Sequence, residues 1–507
     1  MKKYITNLIA AAFLLTAFLP GCKEKLDTTD KNSPTTESYF KTAAELQNGV
    51  NAVYSSLRSA QLVGREWFFL HDMRGGECAS GGAQLEAPRA DLLSQPTPAI
   101  SNSVMSDVWT GSYRMINRAN LVIEKAPGVS DNNALRDRVV GEAKFLRAWA
   151  YYELVSQWGE VPLYTAPVSS PADYKGKSPV ADIYTLIIKD LGEAATALPA
   201  SYGSSDNGRA TKGAAYTLLG KALMQKGDYA VAKTALLNVY GKYSLVPYLW
   251  NFDGDIKNDN NQTVATGHEF NAESIFEIVF LDKGDNNFNW GYVGEGSTSP
   301  LSTVRNQEYG ITWGNVIPSN TYLNEFEAND PRYKYSIYEE GDSILTGVPN
   351  GPLKLLAADM NIGTSVRNGV TKKRFFRKYN IYEWVNSGFH PGGINQRIFR
   401  YADVLLLLAE CEAEVGTPLQ AGIYINEVRS RPGVAMPAVA PATKNDALKA
   451  VMHERSVELG GEELSNIDVL RWRKKGYFPS LIPDRVPGQV DFLPIPAIER
   501  AANPLVK

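Results

Sequence analysis

Cysteine is scarce in this chain, which has three thiols in 507 residues. They are Cys22, Cys78 and Cys411, too few for the framework of several disulfides that stabilises small secreted domains. Cys411 lies in the apolar run 405–413 and is predicted to be buried, whereas Cys78 lies in a glycine-rich segment. A bridge between these two would be possible in an oxidising compartment, but their spacing does not predict one. A hydrophobic core must therefore stabilise the fold, and 44% apolar residues are enough to form it.

Histidine and the short motifs of enzymes are also scarce. The chain lacks the HExxH, GxSxG and phosphate-loop patterns that bring metal ligands, nucleophiles or phosphates together. The adjacent acids Glu462 and Glu463 could suggest glycoside hydrolysis, but adjacency does not set the separation of carboxylates that this chemistry needs. Four histidines share no common spacing: His71, His268, His390 and His453. The sequence therefore predicts neither a catalytic centre nor a bound metal or cofactor.

One acidic segment has a partial resemblance to a calcium loop. Between Asp253 and Asp259 the acids stand at alternate positions, as calcium ligands do. However, the segment lacks glycine at its sixth position, and Val264 replaces the acid at the twelfth. A turn rich in Asp and Asn is the favoured interpretation.

The chain has no basic excess. Lys and Arg number 52 against 55 Asp and Glu, a formal net charge of −3. A mildly acidic chain without a basic cluster argues against nucleic acid and anionic membrane surfaces as partners. Outside the first residues, no apolar run reaches the about 20 residues that a spanning helix needs.

The first residues have the pattern of a lipoprotein signal. Lys2 and Lys3 precede an apolar run from Leu8 to Leu19, and Leu19-Pro20-Gly21-Cys22 resembles a lipobox. We predict that residues 1–21 are a signal peptide, that Cys22 carries fatty acids, and that the polar residues 22–36 form a tether. The alternative is an ordinary secretory signal with a coincidental cysteine. Lys23-Glu24-Lys25 is similar to signals that export lipoproteins to the surface of some Gram-negative bacteria, although a solvated linker explains it equally well.

Helical periodicity covers two long parts of the chain. Leu219-Gly220, Gly227, Tyr229 and Leu236 fall at the spacings of a tetratricopeptide hairpin. A second hairpin follows when Gly416 is aligned on Gly227. The predicted helices are 43–59, 104–125, 135–157, 183–198, 212–226, 229–239, 401–415, 419–429 and 445–460.

Long irregular stretches separate these helices. Residues 61–103 and 241–395 are rich in Gly, Asn, Asp, Pro and aromatics, with short strand-like runs at 274–281 and 374–379. The predicted fold is mainly α, a single domain over 37–507. Tetratricopeptide-like helical hairpins form its scaffold, approximately residues 37–240 and 396–475. The irregular segments are predicted to form an inserted lobe of long loops and a few short strands. Loops of this length in a compact chain are usually functional.

Aromatic residues in the lobe are the candidate ligand contacts. Sugar rings present C–H faces that stack on aromatic rings, and amide or carboxylate side chains bind their hydroxyl groups. Loop aromatics beside such groups therefore favour a glycan over a nucleotide or a peptide. The opposing interpretation is that each ring fills the small core of the lobe. The predicted ligand-binding residues are Trp67, Asp72, Asn289, Trp290, Tyr292, Tyr309 and Trp313.

Short segments of characteristic pattern follow one another along the chain. The most specific runs from Glu142 to Tyr152 and continues with Trp158-Gly159 and Val161-Pro162-Leu163. The others are 51–57, 108–120, 208–214, 329–332, 400–404, 454–459, 468–472 and 492–496. Together they resemble the SusD/RagB family of outer-membrane nutrient-binding lipoproteins over nearly the whole chain. The chain departs from that pattern at 460–467, where the usual Phe-Glu-Gly and aromatic pair are absent.

The resemblance implies a function without catalysis. Members capture oligosaccharides at the cell surface and deliver them to a SusC-like TonB-dependent outer-membrane transporter, against which the helical side packs. The shared segments are implied to be scaffold, with Arg147 paired to an acid or the backbone and Arg209 pinning a turn. Two alternatives stay open: a tetratricopeptide-type protein–protein adaptor, and a glycosidase on a helical scaffold.

Overall fold

The computed structural model describes residues 39–254, 256–257, 263–281, 302–310, 313–344, 353–358, 360–380 and 392–507. The predicted signal peptide, Cys22 and the tether lie outside these residues. So do three of the candidate ligand contacts, Asn289, Trp290 and Tyr292.

Helices dominate the described residues, which confirms the predicted mainly α fold. In chain order they are α1 (Ala43–Leu57), α2 (Glu66–Gly75), α3 (Ala87–Ser94), α4 (Ser103–Lys125), α5 (Asn133–Trp158), α6 (Val180–Ala197), α7 (Lys212–Lys226), α8 (Tyr229–Leu237), α9 (Arg305–Tyr309), α10 (Asn320–Glu325), α11 (Arg332–Ser336), α12 (Tyr401–Val415), α13 (Pro418–Arg429), α14 (Lys444–Leu459), α15 (Ser465–Lys474) and α16 (Ala497–Ala502). None of these helices is long and apolar enough to cross a bilayer.

Side chains at the helix N-termini explain where the main helices begin. Before α1, the Thr42 hydroxyl accepts from the Glu45 N–H, and the Glu45 carboxylate accepts from the Thr42 N–H. This reciprocal pair satisfies two backbone donors that a helix start leaves open. Asn or Thr caps five more of the scaffold helices: Asn102, Asn132, Thr211, Thr417 and Thr443.

Two helical hairpins confirm the predicted repeat. α7 ends at Gly227, whose φ of 100° is in the left-handed region that glycine adopts without strain, and α8 begins two residues later. In the second hairpin α12 packs on α13, and α8 packs on α12. The two hairpins thereby link the N-terminal helices (α1, and α4 through α8) with the C-terminal helices in one scaffold.

Most of the short strands lie in the lobe. The strands are β1 (Cys78–Ser80), β2 (Val161–Pro162), β3 (Lys177–Ser178), β4 (Ile256–Lys257), β5 (Thr263–Ala265), β6 (Ser274–Ile278), β7 (Val316–Pro318), β8 (Ile337–Glu339), β9 (Ser343–Ile344), β10 (Leu353–Lys354), β11 (Thr364–Arg367), β12 (Val370–Phe376) and β13 (Gln396–Arg400). β11, β12 and β8 form a three-stranded antiparallel sheet. The remaining strands pair two by two: β1 with β7, β6 with β13, β2 with β3, β4 with β5, and β9 with β10.

The segment 61–103 corrects the prediction of irregular structure there. It forms α2, β1 and α3, and every residue of α2 is buried. A helix buried on all sides has no polar face, so its sequence shows no amphipathic period. α2 packs against α3, α4 and α15, and α15 is another helix that periodicity did not predict.

The two described cysteines are free thiols in the interior. Cys78 lies in β1 and Cys411 in α12, and burial raises the pKa of both. Their burial confirms the prediction for Cys411, and the disulfide that the sequence left open between them is not formed.

Buried ion pairs fix the lobe to the scaffold. The Arg400 guanidinium, at the end of β13, donates to Glu273 (2.8 Å) before β6, and to Glu458 (2.7 Å) in α14. Arg332 in α11 also reaches Glu458, at 3.0 Å. Burial disfavours the charged carboxylate, but Arg431, Arg400 and Arg332 together hold the pKa of Glu458 well below its usual range. The shared segments 329–332, 400–404 and 454–459 therefore act in packing.

The other shared arginines are structural as well. Arg147 of α5 makes a bidentate pair with Asp190 of α6, both contacts at 2.8 Å. Arg209 holds its turn through Asp206 at 2.6 Å and Glu142 at 2.9 Å. Both observations agree with the roles that the resemblance implies.

Candidate functional site

The two predicted parts of the lobe meet in the structure. β1 pairs with β7 in antiparallel register, and the Gly363 N–H donates to the Gly81 carbonyl at 2.6 Å. A second contact joins the two segments: the Tyr309 hydroxyl of α9 lies 2.7 Å from the Asp72 carboxylate of α2. The candidate contacts of both segments are therefore close in space, although they are far apart in sequence.

Burial corrects three of the predicted ligand contacts. Trp67, Asp72 and Tyr309 are 3%, 4% and 0% exposed. The Trp67 ring packs against Trp149 of the scaffold, with ring centroids 6.1 Å apart, so it belongs to the main core. A glycan cannot stack on a ring that has no accessible face, and these residues have a packing role.

Asp72 belongs to a buried charge cluster. It accepts from Tyr309, and Arg305 lies 3.9 Å away and also pairs with Glu463. Burial raises the pKa of Asp72, and the opposing charge of Arg305 limits that rise. The acid that was expected to bind a sugar hydroxyl therefore satisfies groups inside the protein.

Trp313 differs from these three residues because it stays half-buried at the edge of the lobe. Its backbone N–H donates to the Gln307 carbonyl at 3.2 Å, and its backbone carbonyl accepts from the exposed Gln84 side chain at 3.3 Å. Gln84 belongs to the turn that follows β1. Trp313 therefore stays a predicted contact, at a surface where both halves of the lobe meet.

Sequence reasoning missed an exposed tryptophan. Trp250 lies in a one-turn helix, Tyr248–Asn251, and is 39% exposed, whereas Tyr248 and Phe252 beside it are 1% and 0% exposed. The Trp250 ring stacks on the imidazole of His268, with centroids 3.9 Å apart and planes at 9°. One ring face is thus fixed from behind while the indole keeps an accessible side.

Hydrogen bonds hold this pair of rings in place. Asp253 binds His268 twice, through the ring Nδ1 at 2.6 Å and through the backbone N–H at 2.9 Å. The Asn271 side chain donates to the carbonyls of Trp250 (3.1 Å) and His268 (2.9 Å). We refer to Trp250, His268, Asp253 and Asn271 as the Trp250 platform. Its order before any ligand arrives lowers the entropy lost on binding.

The platform also accounts for part of the segment that resembled a calcium loop. Asp253 uses both carboxylate oxygens on His268, which agrees with a turn. Asp255 and residues 258–262 lie outside the described residues. Within the described part of the chain, no cluster of His, Cys, Asp and Glu could hold a metal ion.

The acids Glu462 and Glu463 do not face a groove. They are 3% and 2% exposed; Glu462 binds Lys378 and Arg400, at 2.7 Å each, and Glu463 pairs with Arg305. Because each carboxylate is neutralised inside the core, this pair is not placed for acid–base work on a glycan.

A helical scaffold of tetratricopeptide-like hairpins with an irregular lobe and an exposed, preordered aromatic surface defines a class of binding protein. Comparison with known families names that class. The model of the SusD family matches residues 272–485, and a model described as starch-binding associating with outer membrane matches residues 85–224. The chain belongs to the SusD/RagB family, as its recurring segments predicted.

Individual relatives are similar over nearly their full length. SusD-like protein P2 of Formosa agariphila is 27% identical, with 93% of this chain and 91% of that protein covered. The crystal structure of a SusD-like protein from Bacteroides fragilis superposes with a TM-score of 0.73 at 22% identity, covering 94% and 99% of the two chains. The surface glycan-binding protein A of Bacteroides thetaiotaomicron, in complex with laminarihexaose, superposes at 0.67 with 21% identity, covering 92% and 99%.

Proposed function

We propose that this protein is a lipid-anchored glycan-binding protein of the outer membrane. It captures oligosaccharides or polysaccharides at the cell surface and delivers them to a SusC-like TonB-dependent transporter, without catalysis. Family membership supports this proposal, together with the laminarihexaose complex of a protein of the same fold.

The observation that carries glycan binding is the Trp250 platform. An indole backed by a stacked imidazole offers a rigid apolar face of the kind on which a sugar ring packs. Trp313 is the second proposed contact, and Asn289, Trp290 and Tyr292 complete the proposed set. More than one aromatic contact would suit a chain of sugar residues better than a single small molecule.

The proposed anchor rests on the N-terminal pattern. Fatty acids on Cys22 would hold the mature chain to the membrane, each buried methylene contributing about 0.8 kcal/mol. The polar residues 22–36 would separate the anchor from the first described residues.

Exposed apolar side chains on the hairpin helices support a partner protein. Leu419 and Ile423 of α13, one helical turn apart, are 72% and 48% exposed, and Val231 of α8 is 56% exposed. The neighbouring apolar side chains of Leu419 and Ile423 mark α13 as a candidate docking face. This face suits the transporter, and it also favours the second candidate function, a protein–protein adaptor.

Affinity electrophoresis in a panel of polysaccharides that includes laminarin tests the proposal. Retardation of the wild-type protein by at least one polysaccharide is expected. Trp250→Ala and Trp313→Ala are each expected to weaken that retardation roughly two- to tenfold, the range of an aromatic contact. Trp290→Ala tests the predicted contacts Asn289, Trp290 and Tyr292 in the same way.

Leu419→Ala is the matched control, because it removes an exposed apolar side chain from the helical side. It is expected to leave glycan retardation unchanged and to weaken copurification with the transporter. Absence of retardation in every gel, with copurification retained, would favour the adaptor. Release of shortened sugars by the purified protein would favour the glycosidase.

A further inference from the structure

A second candidate binding site shares no lining residue with the Trp250 platform. A cavity of about 220 Å³ opens between the C-terminal end of α1, the turn 205–209 and the end of β6. Its volume is below the about 300–1,000 Å³ of pockets for drug-sized ligands, which suits a ligand of the size of one sugar residue.

The local sequence explains why this cavity forms. Gly208 has a φ of 89°, and a Cβ there would lie 2.6 Å from Cγ2 of Val279, so only glycine lets the turn lie this close to the strand. Arg209 then fixes the turn to the scaffold by donating to Glu142 (2.9 Å) and to the Asn51 side chain (3.0 Å). The walls are therefore rigid.

One cation in the cavity has no counter-ion among the residues that the structure describes. Arg58, which follows α1, lines the cavity, and its guanidinium makes no hydrogen bond or ion pair with the described residues. Its Nε is buried without an acceptor. Burial lowers the pKa of Arg58, although an arginine side chain stays charged at neutral pH.

The acids around Arg58 are already engaged. Asp206 pairs with Arg209 at 2.6 Å. Glu277 is 1% exposed and pairs with Arg397 at 3.3 Å, while its other oxygen accepts from Asn395 at 2.9 Å. Arg58 is consequently a partly desolvated charge that the described residues leave uncompensated, which is unfavourable unless a ligand supplies an anion.

The rest of the lining suits a hydroxylated ligand. Asn51, Ser205 and Asn207 are exposed polar side chains at the rim, which can exchange hydrogen bonds with hydroxyl groups. Tyr54 and Val279 supply apolar surface below the rim. A guanidinium, in turn, matches the planar geometry of a carboxylate through two parallel hydrogen bonds.

We propose that this cavity binds an acidic sugar, with Arg58 as the counter-ion of the sugar carboxylate. The sugar part of the inference rests on the proposed glycan-binding function. The site would select glycans that carry uronic acid residues, in addition to the stacking contacts of the Trp250 platform.

Ligand-observed NMR titration of the mature protein with methyl glucuronide, methyl glucoside and acetate tests this site. Methyl glucuronide is expected to bind at least tenfold more tightly than the other two. Arg58→Gln is expected to weaken glucuronide binding about tenfold, in line with the loss of charge-assisted hydrogen bonds, and Arg58→Lys to retain part of it.

Arg500→Gln is the matched control, since Arg500 is exposed and lies outside the cavity; it is expected to change nothing. Equal binding of glucuronide and glucoside, or glucuronide binding that survives Arg58→Gln in full, would overturn the proposal. Acetate binding as tight as glucuronide binding would overturn its sugar part. Trp250→Ala separates the two proposals, because it should weaken polysaccharide retardation and leave the monosaccharide titration intact.

Discussion

At the scale of single residues, Glu77 is a carboxyl group that the fold favours in its neutral form. It precedes β1 and is 4% exposed. The Gly461 N–H donates to it at 3.1 Å, and Arg485 lies 3.3 Å away. Burial outweighs both contacts and raises the pKa of Glu77 to about 7, above the about 4.3 of a glutamate in an unfolded chain.

Glu77 should therefore make stability fall with rising pH. Between these two pKa values the folded state binds a proton that the unfolded state has lost, so the contribution of Glu77 to the free energy of unfolding decreases across this window. Glu77→Gln cannot ionise. Urea unfolding at pH 5 and pH 8 is expected to show a smaller decrease for this variant than for the wild type.

Glu45→Gln is the comparison variant for this experiment. The hydrogen bond from the Lys41 N–H, with others at the start of α1, lowers the pKa of Glu45, so that this group titrates below the window in both states. Its replacement should leave the difference between pH 5 and pH 8 as in the wild type. An equal decrease in Glu77→Gln and wild type would contradict the assignment of Glu77.

Exposure is the residue property that the sequence could not supply. Trp67 and Tyr309 are loop-like in sequence and buried in space, whereas Trp250 is exposed between two buried aromatics. Outside periodic helices and strands, no spacing indicates which rings face solvent. The resemblance to a family did not help either, since segments that carry it, such as 329–332, 400–404 and 454–459, form buried ion pairs.

At the scale of secondary-structure elements, two glycines in helices have opposite roles. In α7, a Cβ on Gly220 would lie 2.5 Å from the Leu236 side chain of α8, whereas a Cβ on Gly192 of α6 would meet nothing within 4 Å. Gly220 lets the two helices of the hairpin approach closely. Gly192 has no such role and lowers the helical stability of α6.

The same substitution is expected to have opposite effects at the two sites. Gly192→Ala should raise the free energy of unfolding by roughly 0.5–1 kcal/mol, the helix preference of alanine. Gly220→Ala should lower it by roughly 1–3 kcal/mol, because the hairpin must open to admit the methyl group. Thermal unfolding of both variants measures this. A higher free energy of unfolding for Gly220→Ala would contradict the close approach of α7 and α8 at Gly220.

The longer scaffold helices were the elements best predicted from the sequence. α7 and α12 begin and end at the predicted residues, and α5 and α13 differ by one or two. α2 was missed because it is a helix of only ten residues, all of them buried, in which no apolar spacing marks one face. The strands β6 and β12 overlap the predicted runs, but their pairing with β13 and β8 depends on contacts distant in sequence.

At the scale of the whole molecule, the proposed anchor determines where the protein acts. Cys22→Ala should move the protein from the membrane fraction to the soluble fraction and abolish incorporation of labelled palmitate, because fatty acids are the proposed link to the bilayer. Cell fractionation and metabolic labelling measure both effects. Cys78→Ala changes a buried thiol and should leave the protein in the membrane fraction.

The ion pairs between lobe and scaffold restrict how the molecule can move. Arg400 contacts Glu273 of the lobe and Glu458 of α14 with the same nitrogen atom, and all three side chains are buried. A hinge motion between the two parts would break several of these ion pairs at once and leave buried charges without partners, which is energetically unfavourable. The lobe is therefore fixed to its own helices, and the protein would have to move against the proposed transporter as one rigid body.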